Sequence, residues 1–152
     1  SPWAALLLGA SLAVLFGVWA SFLSLSLVLL LQALLFGMGG ITSFPVNAIA
    51  MGLFGSASGC LAFAALRRAG ARPSLFAAGF AAVVVPAFAL ALALGAQPHI
   101  AHRADGTPLF FPFGFRITIP AVVLPHLVVG AGEGVLTVLV YGFVSRLRRA
   151  RG

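Results

Sequence analysis

The sequence predicts an all-α fold, a polytopic transmembrane helical bundle of about five crossings forming a single transmembrane domain over 1–152. Three observations predict it. Of 152 residues, 62% are hydrophobic and only 7% charged, with a mean hydropathy of +1.17; soluble domains are about half apolar and about a quarter charged. The apolar residues come in long runs broken by Gly, Pro and Arg, and a hydrocarbon core of about 30 Å takes roughly 20 of them per helical crossing. All nine basic residues are arginines that cluster beside those runs, where they act as topology signals. The net charge of +7 therefore points to the lipid bilayer as partner, with no nucleic acid.

Residues 3 to 36 are too many for one crossing at about 1.5 Å per residue. Gly17-Val18-Trp19 supplies a break with an interfacial aromatic, which predicts helices over about 3–16 and 18–36. Gly37, Gly39, Gly40 and Pro45 make 37–46 a loop, and a third helix is expected over 47–66, ended by Arg67 and Arg68. After the turn Ala69-Gly70-Ala71-Arg72, Pro73 suits the first position of a fourth helix over 73–94, with a kink expected at Pro86. The stretch 95–116 holds His99, His102, Arg103, Asp105 and Pro108 and reads as the one substantial loop. A last helix is expected over 117–144, followed by Arg146, Arg148, Arg149 and Arg151.

The positive-inside rule orients this pattern. Arg67, Arg68 and Arg72 lie two crossings from the C-terminal cluster and so on the same side, which makes the C-terminus cytoplasmic and the loops 37–46 and 95–116 external. Ser1-Pro2-Trp3 lacks a basic region before the first apolar run, so that run makes a poor signal peptide and an upstream segment is expected. Cys60, the single cysteine, reads as a packing residue.

Polar groups inside oily helices are the candidate functional residues, because each must be paired or bind something. Gln32 leads from an apolar helix into the glycine-rich turn, and Asn47 follows that turn. His126, Gly130, Glu133 and Thr137 fall at i, i+4, i+7 and i+11, on one face of the last helix. Glu133 is the one carboxylate expected within the bilayer and fits either an internal strut or a direct ligand. His126 fits either a divalent metal ligand or a satisfied core residue. His99 and His102, three apart, would chelate only on a helix. Ala5, Gly9, Ala13 and Gly17, and likewise Gly55 and Gly59, form small-residue stripes suited to internal packing or to docking another membrane subunit.

Two alternatives from other classes stand beside a binding role. Gly55-Ser56-Ala57-Ser58-Gly59 invites comparison with intramembrane serine proteases, with His126 as base, although position 56 departs from their Gly-x-Ser-Gly. A structural or regulatory membrane component is the other. No Walker A motif is present, so an enzyme that hydrolyses ATP is not expected.

Several segments together resemble one family. They are Gly17-Val18-Trp19-Ala20, Leu29 through Gly37 with Gly39-Gly40-Ile41-Thr42, Val46-Asn47-Ala48-Ile49-Ala50-Met51-Gly52, Pro125-His126-Leu127 and Gly132-Glu133-Gly134-Val135-Leu136-Thr137. The pattern is similar to the CbiM/NikM family, the substrate-capture subunits of energy-coupling factor (ECF) importers for cobalt and nickel. The resemblance implies a subunit of the bacterial inner (cell) membrane that carries Co2+ or Ni2+ as transported substrate, with no permanent cofactor and no ATPase of its own. It implies as partners a transmembrane scaffold subunit, two cytoplasmic ATPase subunits and a small accessory membrane subunit. Read with the polar pattern of the helices, Asn47, Gln32 and Glu133 are the expected substrate-binding residues and His126 the expected metal ligand.

The family's own ligands sit in an N-terminal Met-His-Ile-Pro segment and in a His that would align near Ala5 or Leu6, and neither is in this sequence; its second motif Asn is Ala50 here. A fragment of a divergent member, or a member serving another solute, is the resulting expectation.

Overall fold

The computed structural model describes residues 16–37, 41 and 44–151. The helix expected over 3–16, with the stripe from Ala5 to Ala13, lies outside the described residues apart from its last position. Among the described residues, four helices are long and apolar enough to cross a membrane: α1 (Val18–Phe36), α2 (Phe44–Ala69), α3 (Ala71–Ile100) and α4 (Phe115–Ala150).

Glycine sets the ends of α1. Gly17 (φ 87) precedes it, and Gly37 (φ 65) closes it in the left-handed conformation while donating its N–H to the Gln32 carbonyl; a side chain at either φ would be strained. α2 starts earlier than expected, at Phe44. Pro45 falls in its first turn, where amides have no intrahelical acceptor and a missing N–H costs little. Its middle is a seven-residue π-helix, Ala48–Phe54, followed by a regular α-helix over Gly55–Leu66 and a 3-10 turn over Arg67–Ala69.

Gly70 (φ 110) then breaks the chain, and α3 begins at Ala71, so Pro73 is its third residue, not its first. α3 also outruns the expected stop at Leu94 and continues to Ile100 through Pro86 and Pro98. Gly95 does not end it because the Phe115 ring packs where a Cβ would stand, 2.6 Å away, and His99 stacks on that same ring at 5.6 Å between centroids. Tertiary packing has overridden local helix preference.

The connection shortens accordingly from 95–116 to 101–114, and it is ordered. Backbone hydrogen bonds join Leu109 to Ala101 and Arg103 to Thr107, with a bridge between His102 and Pro108. The Thr107 N–H donates to the Asp105 carboxylate at 3.0 Å and holds its pKa below the usual value. His99 and His102 are thereby divided between a helix end and a turn. α4 spans 36 residues, from Phe115 to Ala150 against the expected 117–144, about 54 Å of helix.

α3 is the hub. Its buried residues form two neighbouring rows at spacings of four: Ser74, Ala78, Ala82 and Pro86, and Leu75, Gly79, Val83, Ala87, Ala91 and Gly95. The first row meets α2, where a Cβ on Gly55 would lie 2.9 Å from the Ala82 carbonyl oxygen. The second meets α4, where a Cβ on Gly79 would lie 2.6 Å from the Glu133 carbonyl oxygen and 2.7 Å from the Gly134 Cα. α4 answers with Gly130 against Phe80 and Val84 and Gly134 against Phe76. α1 packs on α2 through Leu25 and Leu29, with Phe44 and Met51 beside them, and through a buried hydrogen bond of 2.8 Å between the Ser21 and Ser56 hydroxyls.

Gly79→Ala should therefore destabilise the protein by about 1–3 kcal/mol, since the new methyl meets backbone that must move. Gly132→Ala, where a Cβ meets nothing within 4 Å, should be neutral or stabilise by about 0.5–1 kcal/mol through helix preference. Denaturation of the two variants in detergent measures the contrast, and equal stabilities would contradict the assigned α3–α4 contact.

Candidate functional site

The four candidate residues enter the bundle from one end to different depths. Chain direction places the loop after α1 and the 101–114 turn at the same end, with the α2–α3 turn and the end of α4 at the other. Gln32, one turn from the end of α1, is 8% exposed, and its carbonyl anchors the Gly37 cap. Asn47 is half-buried at the junction where the opening turn of α2 becomes the π-helix. His126 is eleven residues into α4 and Glu133 eighteen, or about 16 and 27 Å along the axis.

The bundle groups them as two pairs. The Phe44–Asn47 turn packs against α1, which associates Asn47 with the Gln32 end of that helix. His126 and Glu133 share α4, which packs on α3. Among the described residues α1 and α4 make no close backbone approach; α2 and α3 stand between them. The described helices therefore supply two separate polar patches. Among the described residues, no three of His, Cys, Asp and Glu group closely enough to hold a metal ion.

Each residue has a local cause for its position. The His126 Nδ1 lies 2.7 Å from the Val122 carbonyl oxygen, one turn back. A carbonyl only accepts, so in the neutral ring Nδ1 carries the proton and Nε2 presents its lone pair. An outer-shell carbonyl holding one nitrogen while the other faces outward is how proteins orient imidazole ligands. Glu133 is 0% exposed, on the α4 stripe closed against Gly79, and the fully buried Thr137 donates to the Glu133 carbonyl oxygen at 2.8 Å. Its place is a close α3–α4 contact, where a Cβ on Gly79 would lie 2.6 Å from the Glu133 carbonyl oxygen.

The serine motif resolves differently. Ser58 donates to the Phe54 carbonyl oxygen of its own helix at 2.6 Å, and Ser56 is the partner of Ser21. A nucleophilic serine would give its proton to a base. Here Ser58 and His126 are each bonded to their own backbones.

Three features escaped the sequence reading. The π-helix of α2 contains most of the Val46–Gly52 motif, and such widened turns recur at functional sites; no residue preference announces one. Gly52 allows it to fit against α1, because a Cβ at that position would stand only 3.0 Å from the Phe22 ring. The Gly130-x-x-x-Gly134 pair, which closes on α3 beside Gly79, carries a small-residue spacing that could have found this contact. The Ser21–Ser56 bond joins residues 35 apart, a distance at which single-sequence patterns carry no pairing information.

The family profile CbiM, described as the cobalt uptake substrate-specific transmembrane region, matches residues 5–151. The chain is 42% identical over 141 residues to a protein of Lactiplantibacillus plantarum named probable fused nickel transport protein LarMN, covering 91% of this chain and 43% of that one. It is 36% identical over 145 residues to the fused nickel transport protein NikMN of Rhodobacter capsulatus, covering 91% and 41%. It thus spans less than half the length of either relative. A crystal structure of a transition metal transporter superposes with a TM-score of 0.83 at 34% identity, covering 92% of this chain and 63% of the other. With the profile matched along nearly the whole chain and the same helical framework in a solved relative, the protein is an integral membrane protein that belongs to the CbiM family of cobalt and nickel transport components.

Proposed function

We propose that this chain is the substrate-capture part of an ECF-type importer for cobalt or nickel, working as one transmembrane domain with a scaffold subunit and two cytoplasmic ATPase subunits. The observation that carries the reading is the match of residues 5–151 to a region described as substrate-specific for cobalt uptake. The arginines support the orientation: seven of the nine lie at the end shared by the α2–α3 turn and the α4 terminus, which the positive-inside rule makes cytoplasmic. Gln32, Asn47 and His126 then lie toward the outside, where a capture subunit meets its ion.

Within this reading His126 offers Nε2 to the ion, while Asn47, in the separate patch on α2, presents an amide at the mouth of the π-helix. Imidazole and amide donors suit borderline ions such as Co2+ and Ni2+ better than the oxygen-seeking Mg2+ or Ca2+. Gln32 shapes the loop beneath the site. Glu133 lies about 10 Å deeper than His126 along α4 and braces the α3–α4 contact.

Two measurements test the assignment. In the full-length protein, His126→Ala should weaken Ni2+ or Co2+ binding by calorimetry at least about ten-fold, the scale on which oriented imidazole matters, while Ser58→Ala should leave it unchanged; unaltered binding in His126→Ala removes the ligand role. Glu133→Gln should keep metal affinity within about two-fold and Glu133→Ala should lower stability by about 1–2 kcal/mol, the scale of polar contacts between membrane helices. A Glu133→Gln protein that is stable yet no longer binds metal would make Glu133 a ligand.

A further inference from the structure

At the arginine-rich end, the start of α3 and the last turns of α4 diverge around an open trench of about 650 Å³. Arg72, Arg146 and Arg149 line it, with Ser145 among them. Further along the helices, toward the membrane interior, the lining turns apolar with Leu75, Val138 and Leu139. Gly142 adds no side chain to its wall, and a Cβ there would meet nothing within 4 Å.

The chain cannot neutralise these arginines itself. It has two acidic residues in all. Asp105 is in the turn at the opposite end of α3 and α4, and Glu133 is fully buried thirteen residues before Arg146, about 20 Å along the axis. Three exposed guanidinium groups beside an apolar channel at the membrane boundary therefore suit an external anion that also carries hydrocarbon.

We infer that the trench binds an anionic phospholipid, its phosphate held by Arg72, Arg146 and Arg149 and an acyl chain laid along Leu75, Val138 and Leu139. Guanidinium groups pair with phosphate oxygens through paired N–H donors, and basic pockets between membrane helices on the cytoplasmic side select acidic headgroups. The site lies at the end of the bundle away from Asn47 and His126 and stands independently of the metal reading.

Native mass spectrometry of the full-length protein, released from equimolar palmitoyl-oleoyl phosphatidylglycerol and phosphatidylcholine, tests the site without any metal. The wild type should retain phosphatidylglycerol at least about five-fold over phosphatidylcholine, the scale expected for each arginine engaged. The combined Arg72→Gln, Arg146→Gln and Arg149→Gln protein should lose that preference. Gly142→Leu, which fills the trench with all three arginines in place, should lose retained lipid, and excess glycerol 3-phosphate should fail to displace phosphatidylglycerol. Equal retention of both lipids by the wild type would overturn the inference and leave the arginines for an acidic segment of a protein partner. Displacement by glycerol 3-phosphate, or normal retention in Gly142→Leu, would overturn it as well, reducing the site to surface charge.

Discussion

Close approach of helix backbones is the constraint on which this structure depends. In lipid the hydrophobic effect does not drive one helix onto another, because hydrocarbon tails are as apolar as leucine, and association rests on packing contacts and buried polar bonds. The chain meets this by making α3 a helix of small residues on two adjacent rows. One row admits the backbone of α2 at Gly55, and the other admits α4 at Gly79. Many large apolar residues point away instead: Leu23, Leu27, Leu31 and Leu34 of α1 and Leu124, Val128 and Leu139 of α4 are exposed, as suits a lipid-facing surface. The inside of this bundle is smaller and more polar than its outside, the reverse of a water-soluble core.

The polar residues follow from the same rule. With no water to satisfy them, Ser21, Ser56, Ser74, Thr118, Glu133 and Thr137 are all turned inward and buried. Several spend their hydrogen bonds on backbone carbonyls of their own helix, as Ser74 does with Gly70 and Thr137 with Glu133. The Ser21–Ser56 pair is an exception that links helices. His126 belongs with these residues by its backbone bond and differs from them by its second ring nitrogen. That difference, more than its position, marks it as a candidate ligand.

Much of the architecture was legible in the residues because its signals are local. Gly17 and Gly37 mark the ends of α1, since only glycine tolerates their backbone angles. Gly130, Glu133 and Thr137 repeat at helical spacing, and all three are buried on one face of α4. Legibility failed where distant contacts decide. Gly95 and Pro98 are helix breakers by local rule, yet the Phe115 ring packed against Gly95 and stacked on His99 carries α3 past them. Pro73 and Pro45 proved harmless within first turns. The π-helix arises in a segment flanked by close contacts to Phe22 and Ala82, neither of which the local sequence reveals. The separation of Gln32 and Asn47 from His126 and Glu133 is likewise a matter of helix order in space.

The length of α4 carries a mechanical consequence. Its 36 residues measure about 54 Å, against about 30 Å of hydrocarbon. Leaning at about 40°, the steep limit for membrane helices, still leaves it about 41 Å tall. Several turns must therefore stand clear of the oil as a stiff post continuous with the helix that bears His126. A push or twist applied to that post at the arginine-rich end is delivered to the middle of the bundle through continuous helix, since Pro120 and Pro125, where the helix could bend, lie beyond His126.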